Sequence, residues 1–407
     1  MIKDVPAKDL AQELAQRVQR IKPSPTLAVS ARAEELQAEG KDIINLSVGE
    51  PDFDTPDHIK EAAIKAIQKG YTKYTAVDGI KSLRQAVSHK FARENQLKYE
   101  INQILVSCGA KHSIYNLLSA IINPGDEVII PAPYWVSYPD MVKLCDGVPV
   151  IVKADFDQQF KITPAQLQAA ITPKTRALII NSPSNPTGIS YTSDELKALG
   201  DVVLKHPGIV VVCDDIYEHN LWNHTPFANI LNTCPALYDR TVVINGVSKT
   251  YAMTGWRIGY AAGPAKIIAA MKKAQSQSTS NPTSIAQYAA LAALEGDQQC
   301  IATMIKAYKE RHDYLVGELK KIPGIKVIPS DGTFYTFPSI EGLFNADKGI
   351  TNDLEFSEFL LTEAQLAVIP GSAFGAPGHI RICYTTSMDK LVEAVKRLQQ
   401  AVKKLKA

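Results

Sequence analysis

The 407-residue sequence has no run near the ~18 apolar residues needed to cross a bilayer. Its opening, Met-Ile-Lys-Asp-Val-Pro, lacks an apolar signal core, and Asp4, Asp9 and Glu13 argue against an acid-poor transit peptide. A long basic run is also missing, and the formal net charge is only +2, which gives no footprint for nucleic acid. Six cysteines, at 108, 145, 213, 234, 300 and 383, form no C-x-x-C pair. That spacing excludes an obvious zinc or redox site and favours reduced thiols in cytosol. G-x-G-x-x-G and G-x-x-x-x-G-K are both absent, which removes the main support for a nucleotide-dependent oxidoreductase. Internal repeats and low-complexity segments are missing too. These absences leave a cytoplasmic globular protein, bound to neither membrane nor nucleic acid and long enough for two domains.

What is present is an alternation. Apolar positions at Leu10, Leu14, Val18 and Ile21 predict an opening helix, which Pro23-Ser-Pro25 interrupts before a second helix through Ala31 and Leu36. A turn-rich run, Gly49-Glu-Pro-Asp-Phe-Asp-Thr-Pro56, then leads into another helix, with Pro56 suited to its first position. From about 100 to 265, short apolar runs at 104–106, 127–130, 149–152, 177–180, 209–212, 241–244 and 257–260 alternate with helical patterns. The runs are continuous rather than alternating, so the sheet is expected to be covered on both faces. Strands alternating with helices make it an α/β, mainly parallel sheet. After helical patterns from 284 to 321, strands at 325–328, 333–337 and 380–383 and a lysine-rich terminal helix predict a smaller α+β unit.

Open parallel sheets gather ligands beyond the carboxyl ends of their strands. Asn185 follows the 177–180 strand, Asp214 and Tyr217 follow 209–212, and Ser248 and Lys249 follow 241–244. Gly109, Ala110 and Lys111 follow 104–106 and open a helix; Trp135 follows 127–130. Each has a plain alternative. A lone lysine is usually solvated, an aspartate after a strand caps a helix, Asn185-Pro-Thr-Gly188 is a turn-forming run, and a tryptophan packs. Those alternatives do not explain why all of them fall at one sheet edge.

The run Gly246-Val-Ser-Lys249-Thr-Tyr-Ala-Met-Thr-Gly-Trp-Arg257-Ile-Gly259 resembles the cofactor-lysine signature of class I aminotransferases. Asn185-Pro-Thr-Gly188, Asp214-Asp-Ile-Tyr217 and Arg381 in His379-Ile-Arg-Ile-Cys-Tyr384 match that family's other landmarks in order. With Gly49-Glu-Pro-Asp-Phe-Asp and Tyr134-Trp-Val-Ser-Tyr138, the resemblance covers nearly the whole chain and is closest to the bacterial aspartate aminotransferase branch.

The resemblance implies the fold of fold type I pyridoxal-phosphate transferases: a large cofactor domain over 58–305, with 1–57 and 306–407 contributing an N-terminal arm and a smaller domain. It implies pyridoxal 5'-phosphate as cofactor, joined to Lys249 as an imine. Asp214 would pair with the ring nitrogen, and Tyr217 and Asn185 with the phenolic oxygen. Trp135 would lie against the ring. Ser248, Arg257 and the amides around Gly109, Ala110 and Lys111 would hold the phosphate. Arg381 would fork onto the substrate α-carboxylate, with Gly49 leaving room beside it. Tyr74 matches a tyrosine that reaches the partner subunit's phosphate, which implies a homodimer with shared active sites.

Two departures matter. Glycine stands at 246 where some relatives carry serine, and no arginine around 276–283 matches the distal-carboxylate arginine of another branch. The resemblance assigns that carboxylate to Lys111 and assigns closure over the substrate to Thr26. The expected reaction is therefore ping-pong transamination of aspartate and glutamate with 2-oxoglutarate and oxaloacetate. Prephenate or aromatic and neutral substrates are the broader alternative. A β-lyase, decarboxylase or ring-forming synthase on the same fold, or a non-catalytic binding module, would be the competing classes.

Overall fold

A computed structural model describes residues 14–222 and 227–406. Leu10, the first position of the expected opening helix, lies outside them. The described part of that helix is short, Gln16–Gln19, and the next runs Pro25–Ala38, with Pro25 at its first position. Pro56 precedes the helix Asp57–Gln68 as its cap rather than its first residue.

The strands are β1 (Ile44–Asn45), β2 (Ile104–Ser107), β3 (Glu127–Ala132), β4 (Val148–Lys153), β5 (Thr175–Asn181), β6 (Val210–Asp214), β7 (Thr241–Gly246) and β8 (Gly259–Ala262), followed by β9 (Tyr335–Thr336), β10 (Leu366–Ala367), β11 (Ile369–Pro370) and β12 (Ile380–Cys383). Seven of them form one sheet in the order β2-β8-β7-β6-β5-β3-β4. All neighbours in it are parallel except β8, which runs antiparallel to both β2 and β7. The reversed β8 was not foreseen. Only residues 247–258 link β7 to β8, and they form turns and a short 3-10 helix, Thr254–Trp256, with no crossover helix. A parallel return usually runs through a crossover helix, which this link lacks, so the chain comes straight back.

The continuous apolar runs are explained by burial on two faces. Leu178, Ile180, Val211 and Val243 face a core that includes Leu83, Val87 and Phe91 of the helix Lys81–Asn95. Their neighbours Ala177, Ile179, Val212, Val242 and Ile244 face the opposite core, with Ile114, Leu117 and Leu118 of the helix Ala110–Ile121. Successive residues alternate faces, and both faces exclude water.

A third core joins Ile44 and Leu46 to Met304 and Tyr308 of the helix Gln299–Leu319, to β12, and to the terminal helix Met388–Lys406. That last helix buries Leu391, Ala394, Val395, Leu398, Ala401, Val402 and Leu405, the three- and four-residue spacing of one helical face. β1 pairs with β10, so residues from both ends of the chain share this core. We propose the division expected above, with 58–305 around the large sheet and 1–57 plus 306–407 around the third core.

The strand expected at 325–328 is absent. Only Lys326 pairs, in an isolated bridge to Ser339. Pro323 and Pro329 flank the run, and a proline cannot donate to a ladder. The 333–337 strand shortens to β9, because Thr333 adopts a left-handed conformation and Pro338 follows Phe337.

Candidate active site

The carboxyl ends of β2, β3, β5, β6 and β7 converge on a cleft of about 270 Å³. It is lined by Thr26, Gly49, Ala110, Lys111, Trp135, Asn185, Asp214, Tyr217, Ser248, Lys249, Arg257 and Arg381, all expected from the sequence. Two expected residues are not on its wall. Gly109 stands one residue behind, at φ +86°, and a Cβ there would collide with the Arg257 guanidinium. Tyr74 does not reach the cleft of its own chain and is 92% exposed.

Asp214 ends β6 and is buried. Its Oδ2 accepts the Tyr138 hydroxyl at 2.5 Å, and its backbone carbonyl accepts Asn181 Nδ2 at 2.9 Å. Burial raises its pKa to about 6; Tyr138, the Ile216 amide and Lys249 pull the other way. The carboxylate is thus mainly ionised at neutral pH, yet it gains if a cation arrives. Tyr217, one turn on, shares a 2.8 Å hydrogen bond with the Tyr335 hydroxyl, and burial pushes its phenol well above the usual range.

Lys249 follows β7 and donates to the Gly49 carbonyl at 2.7 Å. Burial lowers its pKa to about 8, with the Arg381 and Arg257 charges adding to the fall. A lysine so placed is partly unprotonated near neutrality, the form that attacks a carbonyl or accepts a proton.

Arg381, on β12, is buried. It donates to Asn185 Oδ1 at 2.9 Å and to the Ser47 carbonyl at 2.6 Å, and its Nε has no partner among the described residues. Its guanidinium stacks between Tyr335 at 4.6 Å and Phe374 at 5.0 Å. These partners are uncharged. A buried guanidinium with only neutral partners and an unpaired N–H is a site for an anion.

Arg257 likewise donates to carbonyls, those of Thr254 at 2.8 Å and Cys108 at 3.5 Å. It adjoins the start of the helix Ala110–Ile121, where Gly109 is the cap and no side chain caps the first amides. The first amides of a helix lack partners within it and attract anions. Lys111 lies over the Trp135 ring at 4.9 Å, and burial, with the Arg257 charge, lowers its pKa. Thr26, in the first turn of Pro25–Ala38, has a buried hydroxyl without a partner among the described residues.

Among the described residues, four cations and one carboxylate therefore line the cleft: Lys111, Lys249, Arg257 and Arg381 against Asp214. Sequence reasoning gave no role to Tyr335, Tyr138 or Asn181. Tyr138 falls in the Tyr134–Tyr138 run and Tyr335 in an expected strand, where a tyrosine reads as packing.

The family profile described as aminotransferase class I and II matches residues 41–398. The chain belongs to the class I and II aminotransferases. It is 56% identical over 391 residues to the aspartate/prephenate aminotransferase of Nitrosomonas europaea, covering 95% of this chain and 98% of that one. It is 50% identical over 388 residues to the aspartate aminotransferase of Geobacillus stearothermophilus, with 95% and 98% covered. The crystal structure of the Rhizobium meliloti aspartate aminotransferase superposes with a TM-score of 0.93 at 45% identity, over 96% of this chain and 98% of that one. The Thermus thermophilus aspartate aminotransferase with maleate gives 0.90 at 42% identity, over 95% and 99%. Among the described residues no helix is long and apolar enough to cross a membrane.

Proposed function

We propose that this aminotransferase moves the amino group of L-aspartate or L-glutamate to 2-oxoglutarate or oxaloacetate, using pyridoxal 5'-phosphate held in the cleft. The observation that carries the reading is the excess of cations around a single buried carboxylate, in a cleft where Arg381 has no charged partner. The residues fit the cofactor at each of its functional groups. Lys249 would hold its aldehyde carbon, Asp214 its ring nitrogen, and Tyr217 with Asn185 its phenolic oxygen. Trp135 would lie against its ring. Arg257, Ser248 and the Ala110 and Lys111 amides would hold its phosphate beside Gly109. Bound there, pyridoxal phosphate supplies a carbonyl that condenses with amines and a protonated ring that takes up electrons from the substrate Cα.

The chain's own residues do the rest. Arg381 orients the substrate through its α-carboxylate, beside the Gly49 carbonyl and the Asn185 amide. Lys249, its pKa lowered by burial and its amine freed once substrate displaces it, would carry the proton from the substrate Cα to the cofactor's C4′. Asp214 keeps the ring nitrogen protonated. Lys111 receives the side-chain carboxylate of aspartate or glutamate, and Thr26 closes over the substrate. A ligand with two carboxylates suits a cleft that offers two separate cations, and the Thermus relative's structure is that of the enzyme with maleate, a dicarboxylate. The Nitrosomonas relative is also named for prephenate. Relatives named for aspartate alone match at comparable coverage, so aspartate is the main reading.

Tyr74, exposed in one chain, would complete the phosphate site of a second copy, making a cytoplasmic homodimer with shared sites. A panel of amino donors against 2-oxoglutarate, run with added pyridoxal phosphate, tests the reading. Aspartate and glutamate should lead. Reduction with borohydride should fix the cofactor to the peptide carrying Lys249, and fixation to any other lysine would refute the cofactor assignment.

A further inference from the structure

Behind the cleft lies a second charged cluster that the proposed chemistry does not use. The turn after β6 has two faces. Asp214 and Tyr217 line the cleft, whereas Glu218 points into the protein and is buried. Its carboxylate accepts from three side chains on two elements: Lys90 of the helix Lys81–Asn95, Asn95 Nδ2 at the same helix's end at 2.6 Å, and Asn245 Nδ2 of β7 at 2.8 Å. Lys90 is only 1% exposed and also donates to Asn95 Oδ1 at 2.7 Å. The next residue, His219, bonds Glu94 at 3.0 Å through one ring nitrogen and the Thr250 hydroxyl at 3.2 Å through the other. Thr250 adjoins Lys249, and Asn245 stands four residues before it.

Glu94, Glu218 and His219 place their ligand atoms within 4.8 Å of one another, a spacing that could hold a metal ion. The Lys90 ammonium already supplies the positive charge at that point, so the cluster is complete without one. A buried ion pair is weak evidence for stability, because desolvation offsets much of the attraction. Its geometry is the more informative feature. One carboxylate ties the turn carrying Asp214 and Tyr217 to the strand that leads to Lys249.

We propose that the buried Lys90–Glu218 pair is a positioning element that fixes the Asp214–Tyr217 turn and the Lys249 loop relative to each other. The inference rests on the functional reading above for its catalytic consequence, but not for its structural one. Neither residue touches the cleft. Small displacements of groups that act together cost rate, about a hundredfold for ~1 Å.

The test uses Glu218→Gln in the full-length protein, which keeps the shape and removes the charge. Amide hydrogen exchange without added cofactor should quicken at 214–219 and 245–250 together, with β3 and β5 unchanged. With saturating pyridoxal phosphate, kcat for aspartate should fall about tenfold, while KM, set by Arg381 and Lys111 on other elements, changes less than twofold. Uniformly faster exchange with kcat retained would show a merely structural pair and overturn the proposal, as would unchanged exchange. Should Glu218→Gln not fold, Lys90→Met with Glu218→Met replaces the pair by apolar side chains and is read by the same two measurements. If the wild-type protein takes up no pyridoxal phosphate, the functional reading fails, and the exchange result alone still decides the positioning.

Discussion

The two ends of the cleft are built in different ways. At one end, Asp214, Asn185 and Ser248 hang from the ends of buried strands and are themselves almost inaccessible, and Lys249 follows directly. At the other, Lys111 rests on a tryptophan face, and Thr26 and Leu27 project from a helix whose Leu27 is 71% exposed. A side chain fixed by a sheet has little freedom left, so its pKa and direction are set before a ligand arrives. A side chain held by one ring or one helical turn is set largely by the ligand it meets. The contrast suggests that the first end determines what chemistry occurs and the second determines on which substrate.

The largest expected effect lies at the sheet end. Lys249→Ala should lower turnover by roughly 10⁴-fold or more, because among the described residues lining the cleft no other amine has its pKa brought to about 8. Cofactor should still bind through Arg257, Asp214 and the helix amides, only more weakly. Single-turnover spectra with aspartate check both statements. Turnover within tenfold of wild type would remove Lys249 from the chemistry and erase the distinction between the two ends.

A smaller effect at the same end concerns stability. The folded Asp214 carboxyl has a pKa near 6 against an ordinary value of 3.8, so the folded state holds this proton more tightly than the unfolded chain. Stability in the absence of cofactor should therefore fall as pH rises from about 4 to about 6, by about 3 kcal/mol from this group. Asp214→Asn removes the charge but keeps an oxygen to accept from Tyr138. It should be more stable than wild type at pH 7 without cofactor, by up to that amount, and lack the fall between pH 4 and 6. Urea unfolding at several pH values measures it. Catalysis should suffer in the same variant, since asparagine cannot hold the ring nitrogen protonated; strain of this kind at an active site is a common trade against activity.

Much of this was legible in advance because both faces of the large sheet are dry. Apolar runs such as 241–244 could only be strands, and residues after them could only be at its edge. Strand direction was less legible, since an apolar run reads the same either way; β8 is reversed because the chain returns without a crossover helix. The short pairs β9 to β11 carry two residues each, too few to show a period. Lys90 was invisible for another reason. A lysine in a helix is nearly always solvated, and only the arrival of Glu218 from far along the chain permits its burial. Arg381, by contrast, was found through family resemblance, not through any local pattern of its own.

The smallest and most specific effect belongs to the other end. Lys111 lies in the first turn of the helix Ala110–Ile121, over the Trp135 ring, and among the described residues its ammonium has no carboxylate partner. Partial burial and the Arg257 charge lower its pKa, while its exposure leaves it open to an incoming carboxylate. A charge-assisted hydrogen bond contributes about 1.5–3 kcal/mol. Lys111→Ala should therefore reduce kcat/KM for aspartate by roughly ten- to a hundredfold, while alanine, which has no second carboxylate, changes by less than about threefold. The ratio between the two donors is the decisive quantity, because a general weakening of cofactor binding would lower both alike. Measuring both at saturating pyridoxal phosphate separates the cases. An equal loss for aspartate and alanine would assign Lys111 to the phosphate end, leave the distal carboxylate without a cation, and join the two ends of the cleft into one.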